Sequence, residues 1–230
     1  MTEHELERIR DAYEAREVAG GGPYRWDNPA YVLYMQALER ALLRALCDAR
    51  VSIQGTRILD VGCGSGYFLH RFQEYGAREC HGIDLIETRI DRGRHRYPTL
   101  ELKVGSATEL PYADGAFDLV TQFTCLSSIA DEEVRLAVGR EMRRVARGGS
   151  ILSFDIRRRR LLPELAGTTQ TVPLDERDLV RLFGVPVVLR SSALDFGLAQ
   201  RAGGHPLVAS ALAAVPLLRS HLLGVWGSLA

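Results

Sequence analysis

The chain has 230 residues, 46% of them apolar, enough to bury a substantial core as one domain with appendages. Its 29 basic and 29 acidic side chains cancel, so nothing draws it toward a polyanion and nucleic acid is not an expected partner. No apolar run approaches the roughly 18 to 20 residues that cross a bilayer, and no membrane partner is expected.

The opening Met1-Thr2-Glu3-His4-Glu5 is charged and lacks the apolar segment of a secretory signal, which predicts a cytoplasmic protein. Apolar residues then recur at helical spacing, first at Leu6, Ile9 and Tyr13, and again at Tyr31, Tyr34, Leu38, Leu42 and Leu46. Gly20-Gly21-Gly22-Pro23 breaks the two helices apart, and Asn28 before Pro29 is placed to cap the second. Residues 1–50 are therefore expected to form a helical appendage, either a cover over a separately folded core or a layer packed onto the sheet in which Tyr31, Leu38 and Leu42 are core.

From Arg57 the texture changes to short apolar runs that end in Gly or Asp, each followed by a helical pattern. Strands are predicted at Ile58–Val61, up to Asp84, at Leu100–Val104, Phe117–Phe123 and Ser150–Ile156, with helices over 66–76, 87–96 and 131–146. Further on come a short helix at Asp175–Phe183, a strand at Val185–Leu189, a helical run at Leu207–Ala214 and an apolar end at Leu222–Trp226. Strands alternating with helices imply a doubly wound α/β fold with a mainly parallel sheet, because parallel neighbours need a crossover. The core is expected over 51–160, with 161–230 completing the sheet and the substrate side.

The chemistry concentrates in Ile58-Leu59-Asp60-Val61-Gly62-Cys63-Gly64-Ser65-Gly66, a strand running into a glycine-rich turn. Ligands of open α/β sheets bind at the carboxyl ends of the strands, where this turn lies. Asp84 ends the next strand 22 residues after Gly62, where a carboxylate can accept from both hydroxyls of a ribose. The pair implies a nucleoside-containing cofactor. The glycines at 62, 64 and 66 do not follow the dinucleotide spacing, which argues against a nicotinamide cofactor. Asp60 beside the loop suits an ammonium group rather than a pyrophosphate. Cys47, Cys63, Cys80 and Cys125 form no C-x-x-C pair and have no histidine at ligand spacing, so reduced thiols and no metal are expected.

These residues resemble the first motif of class I S-adenosylmethionine-dependent methyltransferases, and the resemblance runs over roughly 55–156. Gly105-Ser106-Ala107, the run Leu110–Val120 and Glu141–Gly149 resemble later motifs of that family in the same order. The resemblance implies S-adenosyl-L-methionine as cofactor. Gly62, Cys63, Gly64 and Gly66 would pass under its methionine part, Asp60 would hold its amino group, and Asp84 would bind the ribose. Leu85 would flank adenine, with Ser106 and Ala107 forming the adenine turn and Phe123 completing the set. Ser106 stands where the family commonly carries Asp.

Methyl transfer needs an acceptor aligned in line with the methyl and shielded from water. The segment after the fourth strand, with Thr124 and Ser127, and the end of the fifth are the expected acceptor walls. Asp155 is the first candidate base and His205, on a glycine-flanked loop, the second. Asp155 is weighed against a solvated or arginine-paired carboxylate, since Arg157–Arg160 follow it. Tyr24, Trp26 and Tyr31 are candidates for closing over the site. The acceptor is expected to be a small molecule, methylated on O or N in the biosynthesis of a specialised metabolite or sugar derivative. The competing reading is a cofactor-binding regulatory or partner module without catalysis.

Overall fold

The computed structural model describes residues 7–13, 24–158, 171–202 and 205–227. The Gly20–Pro23 break, Arg159–Arg160 and the glycines before His205 lie outside them. Residues 7–13 form helix α1, which buries Ile9 and Ala12. Helix α2 (Pro29–Asp48) starts where expected, the Asn28 side chain accepting from the Ala30 N–H at 3.0 Å.

Five parallel strands follow, β1 (Arg57–Val61), β2 (Glu79–Asp84), β3 (Glu101–Val104), β4 (Leu119–Phe123) and β5 (Ser150–Ile156). Helices α3 (Tyr67–Glu74), α4 (Glu87–Arg96) and α5 (Glu132–Val145) make the crossovers, and a 3-10 turn at Leu126–Ser128 leads from β4 towards α5. Beyond β5 come α6 (Glu176–Phe183), β6 (Val188–Leu194), α7 (Phe196–Arg201), α8 (Pro206–Ala214), a second 3-10 turn at Pro216–Leu218, and β7 (Arg219–Trp226).

The sheet order is β3-β2-β1-β4-β5-β7-β6, with β7 antiparallel to both neighbours. The chain reverses sequence direction between β1 and β4, and the crevice opens at the carboxyl ends of those two strands. Alternate strand residues feed two cores, as the pleat requires. Leu59, Val61, Val120 and Ile151 pack with Val138 and Met142 of α5 and Leu179 of α6. Ile58, Leu119, Leu152 and Phe154 pack on the other side with Leu38 and Leu42 of α2 and Leu69 and Phe72 of α3.

Three expectations need correction, and one helix was not expected. The apolar end is a full strand, β7, lying between β5 and β6. The strand predicted at Val185–Leu189 begins later, because Val185 and Val187 are exposed and Pro186 between them has no N–H to pair, so Val187 makes the first bond to Val225. Its Arg190-Ser191-Ser192 centre reads as polar because β6 is the sheet edge. Helix α7 is too short to show a period, although Asp195 caps it by accepting from the Leu198 N–H. Finally, α2 is no detachable cover along its length: Leu38 and Leu42 are core, while only its amino-terminal aromatic end reaches the site edge. Asp118 is structural, accepting from the Arg57 N–H at 2.7 Å where β1 begins.

Candidate cofactor and acceptor site

Strand β1 ends in a loop whose glycines have φ of 73° (Gly62), 55° (Gly64) and 82° (Gly66), all in the left-handed region. At Gly62 a side chain is excluded twice over, since a Cβ there would lie 2.6 Å from the Cys125 Sγ. The loop is tied to β2 by the Gly62 and Cys63 N–H groups, both donating to the Ile83 carbonyl.

Asp84 is buried and organises the loop: its Oδ2 accepts from the Gly64 N–H at 2.8 Å and its Oδ1 from the Ile86 N–H at 2.9 Å. Each carboxylate oxygen keeps acceptor capacity for a further donor, as a ribose diol requires. The Arg89 guanidinium lies 4.0 Å from Asp84 Oδ2 and packs over the Tyr13 ring of α1 at 4.8 Å. Tyr13 in turn shares a 2.9 Å hydrogen bond with Ser128, and Arg8 donates to the Ser128 carbonyl. Helix α1 thus sits against the β4 loop and the cofactor loop together. Arg89 was not singled out from the sequence and Tyr13 was named only for its helical spacing, because the contact joins residues 76 positions apart.

Asp60 is also buried, and accepts from the Thr121 hydroxyl at 2.7 Å. Burial pushes its carboxyl up to about 8, and the nearby Asp84 adds to the rise. An ammonium placed beside it reverses that penalty, which fits the amino group of a methionine moiety. Leu85 and Ala107 are half-buried and pack against the core beneath the ends of β2 and β3. The Ser106 Oγ shares a 2.8 Å bond with Thr108 Oγ1 and accepts from the Thr108 N–H, so its hydroxyl shapes the turn itself.

At the end of β4, Thr124 adopts a φ of 55°, an uncommon conformation for a β-branched residue and one associated with functional sites. The turn is held by the Thr124 N–H on the Phe154 carbonyl and by the Cys125 N–H on Gln122 Oε1. Phe123 stacks on Phe68 with ring centroids 3.7 Å apart, so it joins the aromatic wall on the α3 side. Burial pushes the Cys125 thiol well up, consistent with no nucleophilic role.

Asp155 is neither solvated nor arginine-paired in the way weighed above. It is fully buried and accepts from the Ser127 and Ile156 N–H groups, and burial lifts its carboxyl to about 6. It therefore fixes Ser127 and the turn after β4. His205 is exposed at the amino terminus of α8, which packs on β6, three strands from β4. The structure does not bring it to the loop.

An aromatic wall closes the carboxyl edge. Trp26 lies 4.9 Å from Tyr67 at the start of α3 and 5.2 Å from Tyr31. Tyr24 stacks on Phe196 of α7 at 4.8 Å, and Tyr34 meets both Phe196 and His221. His221 stacks on Phe154 at 4.4 Å, one strand beyond β5. Phe196 and His221 were missed because they come from elements, α7 and β7, that the sequence pattern did not show.

A doubly wound sheet with an antiparallel seventh strand, a glycine loop at its switch point and a carboxylate at the end of β2 defines a Rossmann-like domain for a nucleoside cofactor. Comparison with known proteins refines that class. The sequence model of a family described as a methyltransferase domain matches residues 58–149. Ajmaline N-methyltransferase from Rauvolfia serpentina is 33% identical over 164 residues, covering 66% of this chain and 53% of that protein. Demethylmenaquinone methyltransferase from Bacillus velezensis is 31% identical over 139 residues, covering 57% of each. A chain solved in complex with the Haloferax volcanii Trm112 methyltransferase activator shares the fold with a TM-score of 0.69 at 17% identity, covering 96% of this chain and 98% of that one. Residues 58–149 thus match a methyltransferase domain, and the loop residues fit S-adenosylmethionine as its cofactor. It spans about half the length of the curated relatives it matches.

Proposed function

We propose that the chain transfers the methyl group of S-adenosylmethionine to an O or N atom of a small molecule. The observation that carries this is one juxtaposition at the carboxyl edge. The loop with Asp60 and Asp84 adjoins a wall of Trp26, Tyr31, Tyr34, Phe123 and Phe196.

When bound, S-adenosylmethionine supplies an electrophilic methyl on a sulfonium. This chain's residues have three tasks around it. Asp84 takes the ribose, Asp60 takes the amino group, and Gly62, Cys63, Gly64 and Gly66 give backbone contact. Leu85, Ser106 and Ala107 shape the adenine side. The aromatic wall excludes water and orients the acceptor, which is where much of the acceleration of an in-line displacement arises. Thr124 stands at the turn after β4, and Asp155 holds the buried Ser127 in place behind it. Asp155, the first candidate base, is fully buried beneath that turn, so its part here is to position Ser127.

Relatives named for ajmaline and demethylmenaquinone methylation favour a small acceptor. A wall of aromatic rings suits a ring-bearing apolar metabolite better than a sugar derivative. The test is incubation of the protein with methyl-labelled S-adenosylmethionine and an extract of the producing cell. Label is expected in a compound of low molecular mass that partitions into organic solvent. Label confined to macromolecules, or to sugars, counts against the reading.

A further inference from the structure

We propose that the α7–α8 segment and the aromatic mouth beside it dock on an anionic lipid surface. The topology places them together. Strand β6 runs parallel to β5 and ends at the carboxyl edge, where Leu194 pairs with Arg219 at the start of β7. Residues 195–218 therefore leave and re-enter the sheet on the edge that carries the glycine loop. Phe196 of that segment stacks on Tyr24, joining α7 to the mouth of the acceptor site.

The surface so formed is apolar apart from the exposed Arg25–Asp27 ion pair between Tyr24 and Trp26. The run Pro206-Leu207-Val208-Ala209-Ser210-Ala211-Leu212-Ala213-Ala214-Val215-Pro216-Leu217-Leu218 contains no charge, and none of the residues of α8 is buried. Leu207 is 85% exposed, Val208 48%, Val215 44% and Leu217 46%, and at the mouth Tyr24 is 59% and Trp26 43% exposed. A helix of this length is unstable in water by itself, and one that is apolar yet unburied needs a partner.

Charge selects which partner. From residue 196 to the end the sequence has no Asp or Glu, in a chain whose charges otherwise balance. Arg201 and His205 are exposed before α8. Beyond it Arg219 donates to the Ala213 and Ala214 carbonyls, and Arg157 to the Pro216 carbonyl. An apolar centre rimmed by basic groups is the pattern of a segment lying in the interface of an anionic bilayer. A second copy fits less well, since a two-fold contact would set this basic rim against itself. No described helix is long and apolar enough to cross a membrane. The sequence expectation of no membrane partner rested on that requirement, which surface docking does not share. Such docking would also let an apolar acceptor reach the mouth from lipid, a consequence that rests on the function proposed above.

The test is co-sedimentation of the full chain with vesicles of phosphatidylcholine alone and of phosphatidylcholine mixed with phosphatidylglycerol. Binding is expected to the mixed vesicles and to weaken at high salt. Leu207→Asp with Leu217→Asp should lower it about tenfold or more, and Arg201→Glu by a smaller factor selective for the anionic vesicles. Calorimetric titration of each variant with S-adenosylhomocysteine should give wild-type affinity, which shows that the fold is intact. That titration also separates the two ideas, because failure of the wild type to bind S-adenosylhomocysteine breaks the cofactor reading and leaves the vesicle result standing. Absence of wild-type binding to mixed vesicles overturns the proposal. So does equal binding by the double variant, or a dimer in sedimentation velocity that the double variant dissociates.

Discussion

The two halves of the sheet are built on different principles. On the β1–β2–β3 side the glycine loop and Asp84 are held by backbone bonds between consecutive strand-loop units, Gly64 on Asp84, Gly62 on Ile83 and Asp84 on Ile86, while Asp60 reaches across to Thr121 of β4. On the β5–β7–β6 side the wall is assembled from α2, α7 and β7, whose residues are far apart in sequence. The first half is specified by backbone geometry that tolerates little change, and suits a ligand that never varies. The second is specified by side-chain packing, and its composition can change with the acceptor while the sheet stays the same.

The largest effect that sharpens this contrast is expected from deleting residues 1–50. If the appendage were only a lid, the remaining domain would stay folded. Because Leu38, Leu42, Ala45 and Leu46 are buried against the sheet, the truncated chain should lose its cooperative thermal transition. Leu42→Ala by itself should cost about 2–5 kcal/mol in denaturant unfolding. A truncated chain that melts cooperatively with native circular dichroism would show α2 to be dispensable.

Gly62→Ala comes next. A Cβ at a φ of 73°, 2.6 Å from Cys125 Sγ, forces the loop or the β4 turn to move. Strain and overpacking together predict a loss of about 2–5 kcal/mol in stability, and binding of S-adenosylhomocysteine should disappear. Retained affinity would mean that the loop is softer than its hydrogen bonds suggest.

Asp84→Ala should act on binding more than on folding. Losing a charge-assisted acceptor for two hydroxyls weakens S-adenosylhomocysteine by roughly ten- to a hundredfold. Equal affinity in a folded variant places the ribose elsewhere.

Asp60 gives a pH signature. Its carboxyl is pushed up to about 8 from an ordinary 3.8, so between those values the folded protein holds a proton that the unfolded chain has released. Stability of the cofactor-free protein should therefore fall as pH rises through that window. Asp155, lifted to about 6, contributes only to the lower part, leaving the decline from about 6 to 8 to Asp60. Asp60→Asn should flatten the dependence of Tm on pH over that upper range while weakening cofactor binding. An unchanged slope contradicts the assignment. The smallest effect on the cofactor is expected from Trp26→Ala, less than about threefold in affinity, with the larger loss appearing in acceptor turnover.

The same contrast explains what could be read in advance. Glycine spacing, a strand-end acid and strand-helix alternation are local signals, and β1 to β5 with their helices fall within a few residues of where the pattern puts them. Asp60, Asp84 and the glycines were legible for that reason. The acceptor side was not. Strand β6 hides behind polar edge residues, α7 has fewer than two turns, and the last apolar run gives no sign that it inserts between β5 and β6. His205 attracted notice for its glycine-rich flanks, whereas His221, stacked on Phe154, carried no such mark. Asp155 was seen beside four arginines, but its burial depends on Ser127 folding back over it from the β4 turn.

The central claim, that the loop with Asp60 and Asp84 takes a sulfonium nucleoside and not a dinucleotide, is tested most directly by calorimetry on the unmodified chain. Titration with S-adenosylhomocysteine should give saturable one-to-one binding, and titration with oxidised nicotinamide adenine dinucleotide should give none at the same concentrations. Tighter binding of the dinucleotide than of S-adenosylhomocysteine would contradict the account.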